Sequence, residues 1–267
     1  MNLKNLEYIK SGLRELGFGE NLYPDLESGI RQQRPRFSVL SRAKFGDQLM
    51  MSAIHLEKSA QSDKYRIAKY DTMIKKYPDH YENKVQTFFI NKNQGVTLKE
   101  AFNLLEGRSI LKPTAGKDGK VQHTWLQLDS KKEDRAGNSI VHKYGETHGF
   151  DLRKSLAELP ILEIKKPSTK EMLIRSLQKG NLEQVTIVRG GVQEKMFIEA
   201  SPQSQSVNVY DSKMLKVEKE TLVVLQSANQ PKQGLKSSPS DISKQPKNEL
   251  ASTNMRESQS RKRGLSH

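Results

Sequence analysis

Six histidines, a short acidic run and many serines are the side chains of this 267-residue sequence suited to catalysis or metal binding. His142 and His148 bracket Glu146 in "HKYGETH". Two imidazoles and a carboxylate can hold a divalent ion, but the established helical pattern, H-E-x-x-H, sets its histidines four apart on one face. Here Gly145 and Gly149 favour a loop, so surface histidines in a turn are the expected outcome. His55 and His123 fall in strand-patterned stretches and are expected on sheet surfaces. Asp129, Glu133 and Asp134 in "LDSKKEDRAGN" read as a hairpin loop balanced by its own Lys131, Lys132 and Arg135. A two-metal nuclease would need further carboxylate partners. The G-x-S-x-G elbow and the G-x-x-x-x-G-K-[ST] phosphate loop are both missing, and no serine stands in a clear histidine-and-acid context. No catalytic residue, metal ligand or cofactor is therefore expected, and an enzyme ranks below a binding protein.

Basic residues carry the stronger signal. "GIRQQRPRFSVLSRAKFG" holds Arg31, Arg34, Arg36, Arg42 and Lys44, with Phe37 and Phe45 interleaved. A basic strand face with aromatic rings can follow a phosphate backbone and stack bases. The competing expectation, which is preferred locally, is that the phenylalanines face a core and the arginines face water. Tyr65, Tyr70, Tyr77 and Tyr81 alternate with lysines and arginines farther on and are expected to be half-buried strand residues. Helix-turn-helix, ribonucleoprotein and zinc-finger signatures are absent, so any nucleic-acid binding would be driven by phosphate contacts and low in sequence preference.

The elements that would position these residues come in a repeat. "LESG", "LLEG" and "LQKG" place Leu26, Leu104 and Leu177 three residues before Gly29, Gly107 and Gly180. A helix is predicted before each glycine, which ends the helix in the left-handed conformation. "VTLKEAFNLLEG" has Thr97 and Glu100 in capping-box spacing, and "PSTKEMLIRSLQKG" has Ser168 and Glu171 similarly placed. After each glycine come three stretches rich in β-branched, aromatic and leucine residues: "RFSVLSRAKF", "DQLMMSAIHLEK" and "KYRIAKYD"; "RSILKPT", "KVQHTWLQLD" and "NSIVHKYG"; "QVTIVRG", "EKMFIEAS" and "SVNVYD". "KVQTFFIN" adds a fourth strand to the first set, and "DLRKSLAEL" reads as an amphipathic helix between the second and third. Period-two alternation predicts antiparallel sheets covered on one face. The expected class is α+β, built of repeated units of a helix and a small antiparallel β-meander.

Composition divides the chain. Net charge is +14, and aromatics make up only 6% of residues. Cysteine is absent, which excludes disulfides, thiolate zinc sites and iron–sulfur clusters. The start, "MNLKNLEYIKSGLREL", lacks the apolar stretch of a signal peptide, and no run approaches the roughly 18 apolar residues of a membrane span. The expectation is a cytoplasmic protein with no membrane partner. From about residue 227 the chain is rich in Ser, Gln, Asn, Lys and Pro and has no aromatics, a composition that predicts disorder. This tail ends in Arg261, Lys262 and Arg263, a candidate phosphate-binding arm or simply a solubilising tail. The predicted organisation is an N-terminal α+β unit at 1–92, a second unit at 93–165, a third at 166–227 and a basic tail at 228–267.

Several longer stretches add a family context. "GVTLKEAFNLLEGRSILK", "TWLQLD", "LIRSLQKGN" and "EKMFIEASPQ" resemble an uncharacterised family from Bacteroidetes conjugative and mobile genetic elements. The opening twenty residues and the closing "SRKRGL" are similar to that family's two ends, and "YRIAKYDTMIKKYPDHYENK" departs from its Phe/Asn-rich pattern. The resemblance implies a setting in DNA mobilisation or maintenance, with mobile-element proteins as possible partners, and brings no catalytic residue. The leading expectation is a non-enzymatic accessory protein that binds DNA or RNA through basic surface. The alternative is a protein-interaction module that pairs through sheet edges.

Overall fold

The computed structural model describes residues 2–75, 84–116, 119–218 and 221–222. Tyr77, Tyr81, Arg261, Lys262, Arg263 and the predicted disordered tail lie outside these residues. Over the described residues the fold is α+β, with three antiparallel sheets. Helix α1 (Leu3–Glu15) starts at Asn2, whose side chain accepts the Asn5 N–H. Leu6, Ile9 and Leu13 fall on one stripe and are buried. A 3-10 turn (Glu20–Leu22) leads into α2 (Tyr23–Arg31), which buries Leu26 and Ile30. Both helices contribute to one core with the inner face of the first sheet, formed by β1 (Arg36–Phe45), β2 (Gln48–Lys58), β3 (Tyr65–Lys75) and β4 (Gln86–Phe89) in that order. Val39, Met50, Ile54, Tyr70 and Phe88 point inward and are buried. Asn5 ties α1 to the sheet by exchanging two hydrogen bonds with the Tyr65 backbone, at 2.7 and 3.0 Å.

Helix α3 (Leu98–Leu105) carries the expected capping box. The Glu100 N–H donates to Thr97 Oγ1 at 3.3 Å, and the Thr97 N–H to Glu100 Oε2 at 2.8 Å. The second sheet follows as β5 (Ile110–Ala115), β6 (Val121–Glu133) and β7 (Ser139–Tyr144). Helix α4 (Leu152–Ala157) is capped by Asp151. After α5 (Pro167–Gln178), the third sheet pairs β8 (Glu183–Arg189), β9 (Val192–Ser201), β10 (Ser206–Tyr210) and a short unanticipated strand, β11 (Lys216–Val217). Gly190 and Gly191 both have positive φ and close the β8–β9 hairpin.

Three expectations need correction. The first concerns the repeat. Gly107 and Gly180, at φ +84° and +78°, do end their helices, and the N–H one residue beyond each glycine reaches back to Asn103 and Ser176. Gly29 does not play this part, because α2 runs on to Arg31. The left-handed residue there is Gln33, at φ +54°, with the Arg34 N–H returning to Gly29 O. Gly29 instead makes room for a ring, since a Cβ on it would lie 2.4 Å from Phe37. The second is the Ser168–Glu171 capping box, which does not form. Pro167 occupies the first helical position and sets the start of α5 at Lys166, leaving Ser168 inside the helix. Glu171 pairs with Arg153 of α4 instead. The third concerns the middle sheet, which is covered on both faces rather than one. Ile110, Leu126 and Leu128 pack into the first core, while Leu111, Trp125 and Tyr144 pack into a second core with α4, α5 and the third sheet.

The two glycine junctions meet. Buried Asn103 donates to Lys179 O at 2.7 Å and to Asn181 Oδ1 at 2.9 Å. Arg108 Nε donates to Gly180 O at 3.0 Å, and its Nη2 to Asn103 Oδ1 at 2.9 Å. Groups at the end of α3 thus satisfy carbonyls left over at the end of α5. Burial lowers the Arg108 pKa from its ordinary value, against the opposing pull of Glu106, Glu199 and Tyr210.

Candidate functional site

Among the described residues, the first sheet keeps one face uncovered. Lys58 N–H donates to Pro35 O, which makes 35/58 a hydrogen-bonded pair and likewise every second pair of the β1–β2 ladder. Residues 36, 38, 40, 42 and 44 therefore turn N–H and C=O toward the open edge of β1, while their side chains stand on the outer face. The rows across that face follow from the register. Arg36, Glu57 and Arg66 form one, then Ser38, His55, Lys69 and Phe89. Leu40, Ala53, Asp71 and Thr87 come next, followed by Arg42, Met51 and Met73, and last Lys44, Leu49 and Lys75. Six cations stand against two carboxylates.

Among the residues singled out from the sequence, Arg36, Arg42 and Lys44 lie together on this face and are exposed. Arg31 and Arg34 are also exposed, but they belong to the end of α2 and the connection into β1. Phe37 and Phe45 turn inward, as the locally preferred expectation had it. Phe37 meets Tyr65 edge-on with ring centroids 5.8 Å apart, and Phe45 packs on Phe102 at 4.6 Å beneath Lys99 Nζ. Tyr70 is fully buried, its hydroxyl donating to Val96 O at 2.8 Å. The exposed ring on the outer face is Phe89, which leaves 77% of its surface open to solvent. Phe89 comes from β4, outside the stretches that drew notice in the sequence, while Arg66 and Lys69 come from β3, in the stretch where lysines and arginines alternate with tyrosines. A register shift beside His55 and Leu56 breaks the alternation that would have marked Arg66 and Lys69 as face-mates.

One end of the face is polar and connected. A cleft of about 560 Å³ is bordered by Arg36, Ser38, His55, Arg66, Lys69 and Phe89. Ser38 Oγ lies 2.9 Å from His55 Nδ1, and His55 Nε2 lies 2.7 Å from Asp71 Oδ2. Thr87 Oγ1 donates to Asp71 Oδ1 at 2.7 Å, and Lys69 Nζ reaches the same carboxylate at 3.2 Å. Burial opposes ionisation of Asp71, but the hydrogen bonds from Thr87, Lys69 and His55 outweigh it and hold the carboxyl below its usual range. The expectation that no serine has a histidine and an acid beside it is thus overturned for Ser38. These three residues sit on three strands, 17 and 16 positions apart, so only the strand register brings them together. Farther along the face, Leu40, Met51, Met73 and Val85 surround a second groove that Arg42 and Asp71 also border.

The other histidines and acids have local tasks. His142 Nε2 meets Asp129 at 3.0 Å, and His148 Nε2 meets Pro202 O at 2.9 Å. Asp134 accepts the N–H groups of Ala136 and Asn138, and Glu133 pairs with Lys84. The acidic hairpin is therefore held by its own backbone, His142 and Lys84, with Lys132 acting on Asp129 through its charge alone. No group of three metal-ligating side chains is found among the described residues, and no helix there is long and apolar enough to cross a membrane. Comparison with known protein families, curated protein sequences and solved structures finds no match for this chain.

Proposed function

We propose that the outer face of the first sheet binds single-stranded nucleic acid, in an accessory protein of a mobile genetic element. The observation that carries this reading is one open sheet face with six cations against two carboxylates and the exposed ring of Phe89. A ring of this kind stacks on any base for about 1–3 kcal/mol, independent of sequence. Arg42 and Lys44 are two residues apart on the edge strand, so their charges repeat at about 7 Å along it. They can hold successive phosphates while the grooves beside them receive bases. The segment from residue 228 adds eight Lys/Arg against three Asp/Glu to the charge of the chain.

Fluorescence anisotropy of a labelled oligonucleotide across a salt series tests this. For single strands, log K falls by about 0.7 per phosphate contact for each decade of salt. Three or four contacts thus give a slope near −2 to −3. Removal of residues 228–267 should flatten the slope. Binding that ignores salt, or no binding at physiological salt, contradicts the reading.

A second reading rests on the open edge of β1. Its outward N–H and C=O groups at 38, 40, 42 and 44 can pair with an added strand. Arg36, Arg42 and Lys44 would make that strand an acidic one. Hydrogen exchange separates the two readings. A nucleic acid lying on the face leaves the amides of Leu40 and Arg42 exchanging, whereas an added strand protects them.

A further inference from the structure

We propose that Ser38, His55 and Asp71 form a nucleophilic site that attacks acyl esters carrying an anionic group. The inference goes beyond nucleic-acid binding and does not depend on it. An ionised Asp71 can only accept a hydrogen bond, so the 2.7 Å contact puts the proton on His55 Nε2. His55 Nδ1 then presents a lone pair to Ser38 Oγ, 2.9 Å away, and the serine hydroxyl is the donor. This is the relation of nucleophile, base and orienting acid that activates a serine. Thr87 holds the other oxygen of the Asp71 carboxylate and Lys69 reaches both, so its orientation is set by four hydrogen bonds from three residues on three strands.

The surroundings fit the chemistry. Ser38 is exposed at the mouth of the cleft of about 560 Å³, so an ester can reach it. Its own N–H points at the open edge of β1, where it is free to meet a developing oxyanion, as the nucleophile's amide does in serine hydrolases. Arg36, Arg66 and Lys69 line the cleft with Glu57, which pairs with both arginines, and the excess of positive charge favours a carboxylate or phosphate on the substrate. Phe89 offers an apolar wall for the rest of it. In the reaction Ser38 Oγ attacks the carbonyl carbon and its proton passes to His55 Nδ1. The tetrahedral intermediate collapses, and the bond to the leaving alkoxide breaks as His55 returns that proton to it. A water molecule, deprotonated by His55, then hydrolyses the acyl-serine to the carboxylic acid and regenerates Ser38.

The test is labelling of the full chain by a fluorophosphonate, followed by peptide mass spectrometry. Phosphonylation forms a P–O bond at Ser38 and expels fluoride, so it reports the nucleophile without knowledge of the natural ester. The adduct is expected on Ser38, and Ser38→Ala should remove it. His55→Ala should slow labelling about 100-fold or more, the usual scale of a general base. Added imidazole should restore part of that rate, which also shows that the variant is folded. Asp71 acts through His55 as a positioning residue. Asp71→Asn should slow labelling, and Asp71→Glu, which keeps an acceptor, should recover part of it. No adduct on Ser38 of the wild-type chain, or an unchanged rate in His55→Ala or Asp71→Asn, overturns the proposal.

Discussion

Asn103 is the side chain on which the junction between the ends of α3 and α5 turns. It is fully buried, and its amide contacts Lys179, Asn181 and Arg108. Asn103→Ala leaves the Lys179 carbonyl and the Arg108 guanidinium short of a partner, at a cost of about 2–4 kcal/mol when the unsatisfied groups stay buried. Urea unfolding measures this as a lower midpoint with an unchanged slope. At the same scale, Asp71 and Glu163 make stability depend on acid. Burial works against ionisation of Glu163, but the N–H and hydroxyl of Thr186 hold it below the usual range, and Asp71 is held low by its own partners. Both groups favour the folded state when ionised. Their stabilisation is complete above the ordinary unfolded values near 4 and is lost as pH falls through the lower folded values. The melting temperature should therefore drop between pH 5 and 2, and the drop should be smaller in Asp71→Asn and Glu163→Gln than in the wild type.

At the scale of elements, similar leucine–glycine signatures conceal two kinds of glycine. Gly180 has positive φ, and a Cβ there would come within 2.8 Å of Ile110 and of the Ser109 carbonyl. Gly107 has positive φ with open space around it. An alanine at Gly107 meets only the left-handed penalty of about 1–2 kcal/mol, while Gly180→Ala adds a backbone clash and should cost more. Gly29→Ala keeps its helical backbone but displaces the Phe37 ring, an overpacking change of about 1–3 kcal/mol. Thermal unfolding of the three variants gives the order, and equal losses at Gly107 and Gly180 would contradict the packing described. The strands were largely legible beforehand, because short β-branched and aromatic runs bounded by glycine and charge have a clear period. The end of α2 was not, because Gln33 takes a conformation that its residue type does not announce. Glu171 shows the same limit: spacing fits a capping box, but Pro167 fixes the helix start and Arg153 takes the carboxylate.

At the scale of the whole molecule, two cores among the described residues serve three sheets, and the middle sheet feeds both. Alternation in β6 pointed to a single covered face, yet Trp125 on the opposite side is as deeply buried as Leu128. A period-two pattern marks which residues share a face but not whether another layer lies on the far side. The candidate site was legible in part for a related reason. Arg36, Arg42 and Lys44 are close in sequence and their clustering is visible, whereas Phe89, Lys69 and the Ser38–His55–Asp71 chain depend on strand register. A face made of residues from four strands also predicts how binding fails. Phe89→Ala should weaken an oligonucleotide by about 5- to 150-fold, the loss of one stacked base, with little effect on salt dependence.

The most direct measurement compares oligonucleotide affinity, by anisotropy, in two charge-matched double variants of the full chain. One is Arg42→Glu with Lys44→Glu, on the open face. The other is Lys213→Glu with Lys216→Glu, exposed at and beside β11. If the outer face of the first sheet is the interface, the first pair abolishes binding at physiological salt and the second leaves most of it. Equal losses in the two variants would mean that net charge alone holds the nucleic acid, and would contradict a site on the first sheet.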